Sequence, residues 1–363
     1  MNDQNRISKP SILAVFTAVL LSTAIGPAAH AVPTDASTVQ QVLNQLNQDP
    51  AVKGTEESKS YRLIFDAYLN MTEPPMEVGE EFNLNTIHPG MDQWSAVIGW
   101  AESNADMAAA IKNVPGTNIF GMPYGADEID ATYREAGLMA EIAPDNNLRK
   151  TRFPYIDAID TIAAYTTAEA YRQFESGQPD QAVVLLASHL IMSRQLCDRI
   201  FLKEKRHSIQ LLIDALSNLR DMMYLYQDRI DTKQLYNVGY YDIPFLRPGR
   251  NFLFMPEGDR IVSEALIKQA FNKREQADPE RFREIFAGIQ AEEKPLTRFG
   301  AAKRWEMIAQ LHSSLESSLN RLKLIYDDWW RRWRVQAYDP ILDMDSQFEN
   351  TNPVRYAAVL FSM

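Results

Sequence analysis

Apolar side chains recur at steps of three and four residues along much of the chain, which is the spacing of one face of an α-helix. The clearest case is DAIDTIAAYTTAEAYRQFES, residues 157–176, which Gly177 and Pro179 follow. Glycine suits the left-handed end of a helix, and proline suits the first turn of the next one. The pattern therefore predicts two helices that fold back on each other as an antiparallel hairpin.

The same periodicity predicts helices on both sides of this hairpin. They cover residues 36–48, 60–71 and 92–114 before it, and residues 207–227, 279–289 and 299–338 after it. Strand candidates are few, and NFLFM, residues 251–255, is the best of them. We expect an all-α fold of stacked antiparallel helical hairpins, either solenoid-like or irregular, with long ordered loops at 72–90, 113–127 and 232–258.

The stretch AEAYRQFESGQPDQAVVLLASHL, residues 168–190, resembles a single tetratricopeptide-type helical hairpin. Small residues stand where that family keeps them, and Leu186 stands at a position for a large one; the small residues are Ala170, Gly177 and Ala182. Glu169 departs from the pattern, and no second copy follows at an offset of about 34 residues. The resemblance implies the packing of a helical hairpin. A peptide-binding groove is not implied, because it needs several stacked repeats.

The first 31 residues have the features of a secretory signal peptide. Arg6 and Lys9 give a basic start, residues 12–26 are mainly apolar, and Ala29-His30-Ala31 forms a cleavage site before Val32. An uncleaved membrane anchor is the alternative. Since no later stretch of the sequence is long and apolar enough to span a bilayer, we expect an exported protein without a transmembrane segment after cleavage, periplasmic or extracellular.

The rest of the chain divides into three regions. They are an N-terminal helical region at 32–150, a hairpin region at 151–235, and an aromatic loop with a long C-terminal helix at 236–363. The last two regions could form one continuous domain. The final stretch VRYAAVLFSM is apolar on nearly every side, which predicts either a helix buried in the core or a missing further segment.

Charge and cysteine content restrict the kinds of partner and the chemistry. The net charge of −11 disfavours binding to nucleic acid, whose phosphates an acidic surface repels. The single cysteine, Cys197, cannot form an intrachain disulfide, and its helical context predicts a buried small side chain rather than a reactive thiol. Stability must therefore come from the apolar core.

The most concentrated aromatic and basic segment is YDDWWRRWR, residues 326–334. Trp329 and Trp333 continue the apolar stripe of the last helix, and Asp327 and Asp328 each precede an arginine by four residues. Packing therefore explains most of the segment. The side chains left for binding a sugar ring or a partner protein are Trp330 and Arg334.

A second candidate for binding is the loop YNVGYYDIPFLRPGRNFLFMPEGDR, residues 236–260. It combines aromatic rings with arginines that could hold a sugar or an acidic group; the candidates are Tyr240, Tyr241, Arg247 and Arg250. The rings could equally pin an irregular connection onto the core, and packing is the favoured reading. The stretch NIFGMPYGADEID, residues 118–130, is a weaker candidate of the same kind.

Motifs for metal, nucleotide or nucleophilic chemistry do not occur in the sequence. The histidines after the signal stand singly, at His88, His189, His207 and His312. None has the spacing of a zinc-binding helix, and we predict no metal and no cofactor. These observations favour a scaffold or partner-binding protein of the bacterial envelope over an enzyme. The alternative is an envelope enzyme or binding protein for glycans that uses the aromatic loop and acidic residues.

Overall fold

A computed structural model describes residues 34–75, 88–238, 256–272, 276–278 and 314–334, together with the single residues 274, 281 and 285. The fold is all-α, as predicted. Within these residues β pairing is limited to isolated bridges, such as Lys59 with Ile119. The helices are α1 Ala36–Asn47, α2 Tyr61–Leu69, α3 Trp94–Ser103, α4 Ala105–Asn113, α5 Ala131–Glu135, α6 Tyr155–Glu175, α7 Pro179–Leu196, α8 Leu202–Leu225, α9 Thr232–Asn237, α10 Glu257–Gln269 and α11 Leu315–Arg334.

The predicted hairpin is formed by α6 and α7. Gly177 has φ of 75°, the left-handed conformation that ends a helix, and Pro179 is the first residue of α7. A second reversal at residues 197–201 leads into α8, which packs on both α6 and α7. These three helices form the centre of the molecule.

Helix α7 lies in the middle of this centre and is enclosed on almost every side. Its neighbours are α6, α8, α4 and the short turn at Val114–Gly116. From Leu185 to Leu196 every side chain is buried. This enclosure explains why α7 has no solvent-facing side over these residues, and why polar side chains such as His189 and Arg194 are buried there together with the apolar ones.

The stretch 92–114, which the periodicity predicts as one helix, is divided into α3 and α4 at Asn104. The amide nitrogen of Asn104 donates to the carbonyl of Trp100 at 2.7 Å, and its amide oxygen accepts from the backbone of Thr72 at 2.9 Å. An asparagine side chain that bonds to nearby backbone competes with helical hydrogen bonding. The side chain of Asn104 therefore ends α3 and fixes the direction of α4.

Helix α10 was not predicted, because the sequence there suggested the end of a loop. It packs on α1 and on α11. Leu322 and Tyr326 of α11 are buried there and contact Ile267 of α10. The apolar stripe predicted for the last helix is therefore confirmed over its described part, while residues 299–313 and the apolar C-terminal stretch lie outside the described residues. Among the described residues, no helix is long and apolar enough to cross a membrane.

Candidate functional site

The binding residues predicted from the sequence fall where the structure gives no side-chain geometry. Trp330 and Arg334 belong to α11, but their side chains are outside the described set. The loop residues Tyr240, Tyr241, Arg247 and Arg250 lie outside the described residues altogether. Ligand binding by these side chains therefore stays a prediction, and the same holds for the signal peptide at 1–31.

The weaker candidate stretch, residues 118–130, is described in full and takes part in a cluster of buried polar groups. The side chains of Phe120, Met122 and Tyr124 are buried in the core. Tyr124 meets Tyr155 from the start of α6, Arg199 from the reversal before α8, and Glu204 from the first turn of α8. We call Tyr124, Tyr155, Arg199 and Glu204 the inner cluster.

Glu204 is the centre of the inner cluster, because its two carboxylate oxygens accept from three side chains and from the backbone N–H of Phe201. The hydroxyls of Tyr124 and Tyr155 each donate to it at 2.6 Å. Arg199 forms an ion pair with it at 2.9 Å through Nε. The guanidinium of Arg199 also lies 3.9 Å from the centroid of the Tyr124 ring and donates to the carbonyl of Met122. The charge of Glu204 is therefore compensated by well-placed donors.

The inner cluster is closed to solvent, since all four of its side chains are buried. Burial raises the pKa of both tyrosines well above its ordinary range, so their hydroxyls stay protonated and act as donors. Among the described residues, only Nη2 of Arg199 lacks a hydrogen-bond partner within the cluster. A cluster with this geometry joins separate segments of the chain and offers no access to a substrate.

Two more ionisable groups lie at the reversal between α7 and α8, one in the reversal and one in the first turn of α8. Lys205 donates from Nζ to the carbonyl of Cys197 at 3.2 Å, and burial lowers the pKa of Lys205 to about 8. Cys197 is buried, as predicted, and burial raises the pKa of its thiol to about 12. A thiol with such a pKa carries almost no thiolate at neutral pH, so Cys197 is a structural residue.

Glu169, which departs from the hairpin family's pattern, is explained by its contacts. It is buried in α6, where it forms an ion pair with Arg172 at 2.6 Å. The same carboxylate accepts from the amide of Gln173. Glu169 is therefore held within its own helix by residues three and four positions later, and its polar side chain needs no external ligand.

A different kind of surface lies along α8. Ile213 is 50% exposed and Tyr224 is 76% exposed, and Ile209 is exposed as well. Leu216 is half-buried between them and packs against the core. Steps of three, four and eight residues place these side chains on one side of the helix. We call Ile209, Ile213, Leu216 and Tyr224 the α8 stripe.

The α8 stripe points away from α6. Asn218 of α8 donates to the hydroxyl of Thr167 in α6 at 3.1 Å, which marks the side of α8 that faces α6. At about 100° per residue, Ile213 lies roughly 140° around the helix from Asn218. Val184, which is exposed on α7, lies at about the same level of the α7–α8 hairpin. The apolar surface therefore faces outward from the central three helices.

Two further findings concern ligands and relatives. Within the part of the chain that the structure describes, no group of three or more histidine, cysteine, aspartate or glutamate side chains could hold a metal ion. Comparison with family models, with curated proteins and with solved structures gave no match for this chain.

Proposed function

We propose that this chain is an exported helical scaffold of the bacterial envelope, which binds a partner protein through the α8 stripe. The observation that carries the proposal is the exposure of Ile209, Ile213 and Tyr224 on one side of a long helix. Single exposed apolar residues are ordinary, but several of them on one side of a helix form a patch that is typical of an interaction site. The alternative, an envelope enzyme or binding protein for glycans, depends on loop residues that lie outside the described residues, so the structure does not test it.

The partner that fits best is an amphipathic helix. From Ile209 to Tyr224 the α8 stripe extends along four turns of helix, roughly 22 Å, which matches a partner helix of about 15 residues. Two exposed arginines lie on the same side of α8: Arg206 precedes Ile209 by three residues, and Arg220 stands between Leu216 and Tyr224. Arg220 pairs with Asp221 at 2.7 Å. An apolar partner helix with acidic residues along its edge would complement this surface in shape and charge.

The test is site-specific photocrosslinking in intact cells, with a benzophenone amino acid at Ile213 of the tagged full chain. The matched control carries the same group at Leu63, an exposed apolar residue of α2. We expect one envelope protein to crosslink from position 213 and not from position 63. The crosslinked peptide should be an amphipathic helix with acidic residues, and Ile213→Asp in the tagged chain should abolish its co-purification.

Other occupants of the stripe would give other results. Equal crosslinking from positions 213 and 63 would mean chance encounters, and would contradict the proposal. A crosslink to a second copy of this chain, or to another segment of the same chain, would show that the stripe is covered without a partner. Export is tested separately, by sequencing the N-terminus of the periplasmic protein, which should begin at Val32.

A further inference from the structure

The junction between α10 and the central helices depends on a carboxylate that caps a helix from another part of the chain. Leu202, the first residue of α8, donates its backbone N–H to the carboxylate of Asp259 at 2.6 Å. The residue before it, Phe201, has no side-chain acceptor with which to cap α8. Since the first N–H groups of a helix need acceptors from outside the helix, Asp259 supplies one from α10.

A second contact brings the two backbones close together at the same place. Gly258 donates its N–H to the carbonyl of Ile200 at 2.9 Å. A Cβ atom on Gly258 would lie 2.8 Å from the ring of Phe201, so only glycine fits here without displacement of the ring. We call the contacts of Gly258 and Asp259 with residues 200–202 the α10 clasp.

Charged and titratable groups from four helices, α1, α8, α10 and α11, or from residues next to them, surround the α10 clasp. Glu204 has its own cation in Arg199, and Glu257 has its own in Arg260 at 2.5 Å. Asp259 forms no ion pair with the described residues, and its carboxylate is held by backbone N–H groups. The remaining titratable groups that act on this junction are Asp49 after α1, Lys205 on α8 and Tyr326 on α11.

We infer that α10, which packs on α1 and adds Val262 and Ala265 to the common core, is held to α8 by the α10 clasp more tightly in mild acid than at neutral pH. The geometry supports this because the clasp buries a carboxylate without a cation of its own. Ionisation of such a carboxylate is costly, whereas its protonated form loses little on burial. Protonation therefore favours the attached state.

The pH window follows from the pKa values. Burial raises the pKa of Asp259 from 3.8 to about 6. A detached α10 would return this carboxyl to its ordinary pKa, so the attached state binds the proton more tightly. Attachment is therefore weakest above pH 6, and its equilibrium constant rises about tenfold from pH 7.5 to pH 5. Burial also raises the pKa of Asp49, which acts in the same direction.

Lys205 does not reverse this trend. Burial lowers the pKa of Lys205 to about 8, so this side chain is mostly protonated at pH 7.5 already. Its contribution to the attachment of α10 therefore changes little between pH 7.5 and pH 5. The hydroxyl of Tyr326, whose pKa burial raises above its ordinary value, stays protonated throughout this range. The acid dependence between pH 7.5 and pH 5 therefore belongs mainly to Asp259.

The test is hydrogen exchange of the full chain at pH 7.5 and pH 5, corrected for the intrinsic exchange rate at each pH. We expect protection of the α10 amides to be about tenfold greater at pH 5. In Asp259→Asn, which keeps an acceptor for Leu202 but cannot ionise, most of the dependence should be lost, and only the part due to Asp49 should remain. Asp214→Asn removes an exposed carboxylate of α8 and should leave the dependence unchanged. Equal or smaller protection at pH 5 in the parent chain would overturn the inference.

A second variant tests whether α10 and α11 open separately from the central helices. Gly258→Ala places a methyl group against the Phe201 ring and should open the clasp at both pH values. We expect exchange of α10 and α11 to become fast and independent of pH, while the amides of α6 keep their protection. Loss of protection in α6 together with α10 would mean that the two unfold as one, and the inference would be wrong.

Discussion

Helix α8 reverses the usual arrangement of charged and apolar residues within its own length. Its first turn buries Glu204 and Lys205, whereas its middle exposes Ile209 and Ile213. The buried charges meet fixed donors and acceptors from three other segments of the chain. No described side chain encloses the exposed apolar residues in the same way. Because contacts are complete in the first region and open in the second, we propose the second as the interaction surface.

The difference also concerns what each region can tolerate. In the inner cluster every substitution changes a partner that is already in place, so function and stability cannot be separated there. On the α8 stripe, a substitution at Ile209, Ile213 or Tyr224 changes a surface that faces outward. The following predictions test whether this division between a structural region and a binding region holds.

The largest effect is expected for Glu204→Gln. This change leaves Arg199 buried beside a neutral side chain, and removing one partner of a buried ion pair typically costs about 3–5 kcal/mol. Urea unfolding of the full chain would measure the loss in the free energy of unfolding. Glu56→Gln is the control, because Glu56 pairs with Arg62 at 2.7 Å on the surface and its loss should cost less than about 1 kcal/mol. Similar losses for the two variants would contradict a structural role of the cluster.

A smaller effect, limited to acid, is expected from a buried group that lacks such partners. His189 of α7 is buried, its Nε2 finds no hydrogen-bond partner among the described residues, and burial lowers its pKa from 6.5 to about 4. The folded state therefore holds His189 neutral, and stability is lost as the pH falls from about 6.5 towards 4. The loss approaches roughly 3 kcal/mol at pH 4.

His189→Met measures this contribution, since methionine has a similar volume and no charge. At pH 7.5 the variant should differ from the parent by less than about 1.5 kcal/mol. Between pH 7.5 and pH 4, the free energy of unfolding of the variant should rise by roughly 3 kcal/mol relative to that of the parent chain. Parallel unfolding curves for the two proteins across this pH range would show that His189 does not titrate as its burial requires. Acid therefore destabilises the fold through His189, whereas it stabilises the attachment of α10 through Asp259, because burial favours the protonated form of Asp259.

The hairpin of α6 and α7 could be predicted from the sequence, because local signals specify it. Periodic apolar residues, Gly177 and Pro179 all lie within one short stretch and point to the same structure. The inner cluster could not be predicted, because its residues meet only in the fold. Glu204 lies 80 positions after Tyr124 and 49 positions after Tyr155. Glu204 in particular reads as an ordinary acidic residue in the first turn of a helix.

The α8 stripe was missed for a different reason. Residues such as Ile209, Ile213 and Leu216 share the helical spacing that is typical of a buried face, so the sequence gives no sign that some of them are exposed. Periodicity reports which residues lie on one side of a helix, but the width of the apolar band decides how much of it a neighbour can cover. On α8 the band is wider than the contact with α6 and α7, and that excess is visible only in three dimensions.

The smallest effect on stability is expected for Ile213→Asp. Because half of this side chain is exposed, the substitution should change the free energy of unfolding by less than about 1 kcal/mol. Leu211→Ala, two residues earlier on the same helix, removes a buried side chain and should cost about 2 kcal/mol or more. Thermal and urea unfolding would compare the two variants. If Ile213→Asp were as costly as Leu211→Ala, the α8 stripe would be covered within the chain itself, and the distinction between the closed and the open region of α8 would fail.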